Sequence, residues 1–347
     1  MSRNILITGA SGYIGGSILA ELKNTSNLPS HGNIYALVRT QDQAEKVKSH
    51  YDATPLTLDL DDSSAIQTTL VEKQISVVFF LINAFDANAQ VKFIEALAAV
   101  KSRYGIETHF LHTTGAKLFS SFTSHPTDRP FSDAEDGLYD IQKAATSQFP
   151  PMAVGANTRV IDAGEKHGVS TYIYIPCIVY GKGSGFGNKI SIQTVAIVRA
   201  AKALRRICKV DQEEGSWPVS HIHDTVTLYI EILRKILNEE KIDHNRDGYY
   251  LASSGAIAWA DLYQHMADAL AKRGVVEDDT LHDVSTKSLE EAAKALGCPP
   301  EFVPVEMGGS CMLQAERGKK IGWQPQYSAD DILYNVDSEA ELILNNI

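Results

Sequence analysis

The chain has 347 residues, 44% of them hydrophobic and 22% charged, with a formal net charge of −11. That excess of acid speaks against nucleic acid or an anionic membrane as a partner, and no apolar run approaches the ~18 residues of a membrane span. Four cysteines (Cys177, Cys208, Cys298, Cys311) lack metal-ligand spacing, which fits buried thiols in a reducing, cytoplasmic setting. The first strand begins almost at Met1, so no signal or transit peptide is expected.

In chain order, the first element is ILITGASGYIGG, residues 5–16. An apolar strand stops at Thr8, Gly9, Gly12 and Gly15 follow at intervals of three, and Ile18, Leu19 and Leu22 continue at helical spacing. A glycine turn between strand and helix lets backbone N–H groups approach a pyrophosphate, with the helix N-terminus adding partial positive charge. Gly9 permits the tight turn, Gly12 leaves room for phosphates, and Gly15 lets helix and strand pack closely. Ser11, Tyr13 and Ile14 complete the expected contact surface.

Further strands are expected at Asn33–Arg39, Pro55–Leu58, Ser76–Ile82, Thr108–Thr113 and Thr171–Ile175, with helices between them such as Ala87–Tyr104. Strands that are near-continuous apolar runs, alternating with helices, imply a Rossmann-type, doubly wound α/β fold with a parallel sheet. Residues 1–180 make up this domain, with 217–255 returning to it; 181–216 and 256–347 are expected to form a smaller, mostly helical substrate lobe. Two stretches break the rhythm, a polar loop over 115–137 and the glycine-rich 181–188, read as a mobile loop on the substrate side.

TGASGYIG at the start, LDLDD (58–62), LHTTG (111–115), YDIQK (139–143), IPCIVYG (175–181), WPVSHIHD (217–224) and KKIGWQPQYS (319–328) come in a telling order. Together they resemble the extended short-chain dehydrogenase/reductases, the NAD(P)-dependent epimerase/dehydratase-like group. The resemblance implies a nicotinamide cofactor, with Asp59 and Leu60 beside the adenine, Asn83 and Ala84 lining the cofactor, and Pro176 and Ile178 walling the nicotinamide. It also implies a catalytic trio of Thr114, Tyr139 and Lys143.

Cofactor choice follows from the second strand, IYALVRT, which ends in Arg39 with no acid at its tip. A carboxylate there would select NAD through the ribose 2′-OH, whereas a guanidinium fork suits the 2′-phosphate of NADP. NADP is therefore expected over NAD. Tyr-x-x-x-Lys by itself is weak, since roughly one match is expected by chance; its place between the fifth and sixth strands carries the reading. A lysine about 4 Å from a phenol contributes up to ~4 kcal/mol at an effective dielectric near 20, enough to lower the phenol by up to ~3 pKa units before burial opposes it. Lys143 would also bind the nicotinamide ribose, and Thr113 or Thr114 would hold the reacting oxygen. Gln148–Phe149–Pro150–Pro151 breaks the helix expected after Lys143, leaving the pair's placement to the structure. His221, His223 and Asp224 lack further ligands at metal spacing, so no metal is expected.

The expected function is NADP-dependent reduction of a carbonyl, or oxidation of the alcohol, of a small to medium organic substrate by a monomer or homodimer. The alternatives are a sugar epimerase or dehydratase that retains NAD, and a non-catalytic NADP-binding sensor or scaffold.

Overall fold

The computed structural model describes residues 2–25, 28–125, 127–147, 151–210 and 215–347. The first half alternates as expected: β1 (Asn4–Ile7), α1 (Tyr13–Asn24), β2 (Ile34–Leu37), α2 (Gln41–Tyr51), β3 (Thr54–Leu56), α3 (Ser63–Glu72), β4 (Ile75–Phe80), α4 (Asn88–Tyr104) and β5 (His109–Thr113). A short strand β6 (Phe131–Ser132) and a short helix α5 (Leu138–Ala144) precede α6 (Pro151–His167), β7 (Ser170–Pro176) and β8 (Ile178–Tyr180). Then come α7 (Gln193–Leu204), β9 (Ile207–Lys209), β10 (Ser216–His221), α8 (Ile222–Leu237) and β11 (Tyr249–Ala252).

Seven parallel strands form the central sheet in the order β11-β7-β5-β4-β1-β2-β3. The order reverses at β1, so the crevice above the C-terminal ends of β1 and β4 is where an α/β sheet of this kind receives ligands. All six residues of β4, ISVVFF, are buried, as a strand covered by helices on both faces requires.

The C-terminal part adds β12 (Ala256–Ala258), α9 (Trp259–Lys272), β13 (Leu281–Asp283), α10 (Thr286–Leu296), α11 (Val303–Met307), β14 (Leu313–Gln314), α12 (Arg317–Lys320), α13 (Asp331–Tyr334) and α14 (Val336–Leu344). Two buried carboxylates fasten it to the sheet. Asp133 accepts backbone N–H bonds from Leu251, Glu316 and Arg317. Asp224 accepts those of Gln326 and Tyr327, while the Trp323 indole donates to the Asp224 carbonyl. The polar stretch 115–137 is thereby a packed element, not an open loop: β6 within it pairs with β14. Among the described residues, no helix is long and apolar enough to cross a membrane.

Candidate functional site: the glycine cradle and its cleft

The first βα turn is built as the glycine spacing demands. Gly9 has φ +70°, in the region glycine enters without strain, and its carbonyl accepts the Gly12 N–H at 2.8 Å. A Cβ on Gly15 would stand 2.3 Å from the Gly9 carbonyl oxygen, so helix and turn reach this distance only with glycine there. Helix α1 has neither a side-chain cap nor an acidic residue in its first turn. Its leading N–H groups and positive dipole end are therefore available to an anion, which is the donor set a pyrophosphate fits.

The turn opens on a cleft of about 360 Å³. Gly9, Ser11, Gly12, Tyr13, Ile14, Gly15, Arg39 and Thr113 all line it, as the sequence anticipates. Arg39 is exposed, and no described residue pairs with its guanidinium; Gln43 accepts only its backbone N–H. Asp42, the nearest acid in sequence, is held by Lys46 at 2.9 Å.

The remaining wall differs from expectation. Strand β4 ends at Phe80, two residues early, so Leu81 and Ile82 take the lining positions assigned to Asn83 and Ala84. Asn83 is committed to its own turn, donating to Asp86 and accepting from the Phe85 N–H. Asp59 caps a turn by accepting the Asp61 N–H, and neither it nor Leu60 lines the cleft. Pro176 and Ile178 are buried in β7 and β8, away from this wall.

Asn188, Ile190 and Ile192 supply the opposite wall. Asn188 ends the glycine-rich 181–188 and the two isoleucines follow it; that segment is docked on α1 rather than swung toward a substrate. Asn188 N–H donates to the Ser11 carbonyl, Tyr13 hydroxyl to the Gly181 carbonyl, and Phe186 N–H to the Tyr51 hydroxyl. A Cβ on Gly187 would lie 2.2 Å from the Ser11 oxygen. The glycines are there for close backbone approach.

Of the expected trio, Thr114 directly follows β5 and is buried, next to the lining residue Thr113 but not itself lining the cleft, its Oγ1 without a partner among the described residues. Lys143 does meet Tyr139, donating to its hydroxyl at 2.7 Å. The phenol itself donates to Asp162 of α6 at 2.5 Å, and the Arg246 guanidinium covers its ring at 4.3 Å. Burial and the Asp162 bond push the Tyr139 phenol above its ordinary value, outweighing Lys143; this is the reverse of the lowering expected. Helix α6 begins at the C-terminal edge of the sheet, and Asp162 lies eleven residues beyond its first residue. At 1.5 Å per residue, Tyr139 is held about 16 Å down that helix. The pair sits on its own short helix α5, and the structure does not bring it to the residues lining the cleft. Gln148, Phe149 and Pro150 of the expected helix break lie outside the described residues.

Comparison with known proteins agrees with this architecture. The profile of the NAD dependent epimerase/dehydratase family matches residues 5–245. The chain belongs to that family. It is 23% identical to an oxidase, ucsJ, of an Acremonium species over 345 residues, covering 94% of this chain and 93% of the relative. Its fold is similar to that of UDP-glucose 4-epimerase from Thermotoga maritima, solved with UDP-glucose (TM-score 0.63, 12% identity, 99% of both chains). It is also similar to alfalfa vestitone reductase (TM-score 0.58, 13% identity, 99% of this chain and 98% of that one). As a member of the epimerase/dehydratase family the chain has an NAD(P)-dependent oxidoreductase fold, and the glycine cradle fits a nicotinamide dinucleotide.

Several further residues have packing roles in this family member. His221 stacks on Tyr327 with ring centroids 3.9 Å apart, its Nδ1 accepts the His223 N–H, and Asp224 fastens the 326–327 backbone. His109 and His112 face opposite sides of β5: His109 bonds the Tyr172 hydroxyl, and His112 is fully buried. Trp217 is buried against Phe122 and Trp259. Cys177, Cys208 and Cys311 are buried free thiols, and Cys298 is half-buried.

Proposed function

We propose that this chain is an NADP-linked oxidoreductase that reduces the carbonyl, or oxidises the alcohol, of a small to medium organic molecule. The observation that carries the reading is Arg39: a guanidinium at the tip of β2 that no described residue pairs with, in the same cleft as the glycine cradle, while Asp42, the nearest acid in sequence, is held by Lys46. A bidentate fork there matches a 2′-phosphate. The N–H groups at the start of α1 hold the pyrophosphate, and Leu81 and Ile82 flank it. Bound there, a nicotinamide dinucleotide supplies two-electron hydride exchange.

Thr114, next in the chain to the lining residue Thr113, holds the reacting oxygen. Its unpartnered hydroxyl donates to that oxygen and stabilises negative charge as it develops. Among the described residues, the titratable side chains lining the cleft are Tyr13, bonded to the Gly181 carbonyl, and Arg39, so water delivers the proton. Tyr139 and Lys143 serve to hold α5 against α6. The substrate lobe is formed by 181–216 and 256–347. Arg39 also weighs against an epimerase or dehydratase that keeps NAD bound. A second reading, NADP binding without turnover, is favoured by the distance of Tyr139 from the cleft.

NADPH oxidation over a panel of aldehydes and ketones tests this reading, alongside NADPH titration. Wild type should turn over at least one carbonyl. Thr114→Val should lower kcat by about 10²-fold with NADPH affinity unchanged. Tyr139→Phe should keep kcat within about threefold while lowering Tm, as loss of a structural hydrogen bond does. Tight NADPH binding with no turnover on any carbonyl selects the second reading. A Tyr139→Phe enzyme that binds NADPH but has lost its kcat would overturn the role given to Tyr139.

A further inference from the structure

Thr113 and Tyr229 share one hydrogen bond, Oγ1 to Oη, at 2.7 Å. Tyr229 comes from α8 and is fully buried, stacked on Tyr174 with centroids 3.6 Å apart and flanked by Phe79. Thr113 ends β5 and lines the cleft. Between them the two hydroxyls hold two protons and make this single contact. A phenol is the more acidic partner and an alcohol oxygen the better acceptor, which already favours Tyr229 as donor. Surroundings decide the rest. Among the described residues, Thr113 is the one group bonded to the Tyr229 hydroxyl, so a Tyr229 proton turned elsewhere would be stranded among aromatic rings, and a buried donor left unmade is unfavourable. Thr113, in contrast, lines the cleft, where its proton can find an acceptor.

We infer that Tyr229 is a positioning residue: by donating to Thr113 it fixes that hydroxyl with its own proton aimed into the cleft, where it donates to an oxygen of the bound dinucleotide. This rests on the reading that the cleft holds NADP. Nothing in the sequence pattern pairs these residues, which stand 116 positions apart; the sheet brings the end of β5 over α8.

The test is fluorescence titration with NADPH on wild type, Tyr229→Phe, Thr113→Val, Thr113→Ser and the Tyr229→Phe/Thr113→Val double variant, with thermal unfolding recorded for each. Loss of the directed donor should weaken binding about tenfold in Thr113→Val, and loss of its orientation about fivefold in Tyr229→Phe. Thr113→Ser, which keeps the hydroxyl, should bind like wild type. The double variant should bind like Thr113→Val alone, because Tyr229 acts only through that hydroxyl. A purely structural role for Tyr229 would instead weaken the double variant by the product of the two single effects. That product, or Tyr229→Phe binding as wild type does, overturns the inference. Failure of wild type itself to bind NADPH overturns the functional reading beneath it.

Discussion

Gly15→Ala should weaken NADPH binding by on the order of 10²-fold or more, a loss of about 3 kcal/mol. The added Cβ would stand 2.3 Å from the Gly9 oxygen, 2.9 Å from the Gly9 carbonyl carbon and 3.1 Å from the Thr8 oxygen. All three are backbone atoms of the turn, so no side-chain rotation relieves the overlap. Either α1 moves outward and its leading N–H groups leave the pyrophosphate, or the turn opens and Gly9 loses its bond with Gly12. The segment 181–188 transmits the damage, because it is fitted against the backbone of Ser11 and Gly16 and the ring of Tyr13. Titration of the variant against wild type, with circular dichroism to establish that the sheet remains, measures the effect. Binding within threefold of wild type would mean that the cradle does not carry the dinucleotide.

Acid should unfold the protein through its buried histidines. His112 is fully buried in β5 and His125 is packed between Phe119 and Phe131; burial lowers each to about 4 from the usual 6.5. Neither ring has a hydrogen-bond partner among the described residues. Both are neutral in the fold but charge near pH 6.5 once unfolded. Their contribution is therefore fully present above pH 6.5 and is lost as the pH falls toward 4. At pH 5 the loss amounts to about 2 kcal/mol for each. Asp133, Asp224 and Glu339, raised by burial, act in the opposite sense, so the histidine term is read by difference. Between pH 7 and pH 5, wild type should lose about 2 kcal/mol more than His125→Phe in urea unfolding. Equal losses would show that His125 charges within the fold.

Much of the fold is legible because burial on both faces writes itself into β1, β4 and β7 as apolar runs, and because a strand, a glycine turn and a helix must appear together to make the cradle. Arg39 and the cradle residues are local to those elements, so their roles could be argued from neighbours in sequence. What was not legible depends on distant contacts. Glycines in 181–188 have the same composition whether the segment moves freely or lies flat on a helix; only the 2.2 Å spacing above Ser11 tells the two apart. The polar character of 115–137 suggests an exposed loop, yet Asp133 is fully buried, binding backbone N–H groups from β11 and from residues 316–317. Tyr139 and Lys143 have helical spacing and do touch, but spacing fixes only that contact. Which way α5 faces is set by Asp162 and Arg246, both far along the chain.

A phosphorylated dinucleotide lying across the first crossover, with its adenosine end at Arg39, is the claim on which the rest depends. Parallel calorimetric titrations with NADPH and NADH test it most directly. NADPH should bind at least about tenfold more tightly than NADH, and Arg39→Ser should erase the difference, as expected for a charge-assisted bidentate contact. Tighter binding of NADH, or no heat with either dinucleotide, would contradict it.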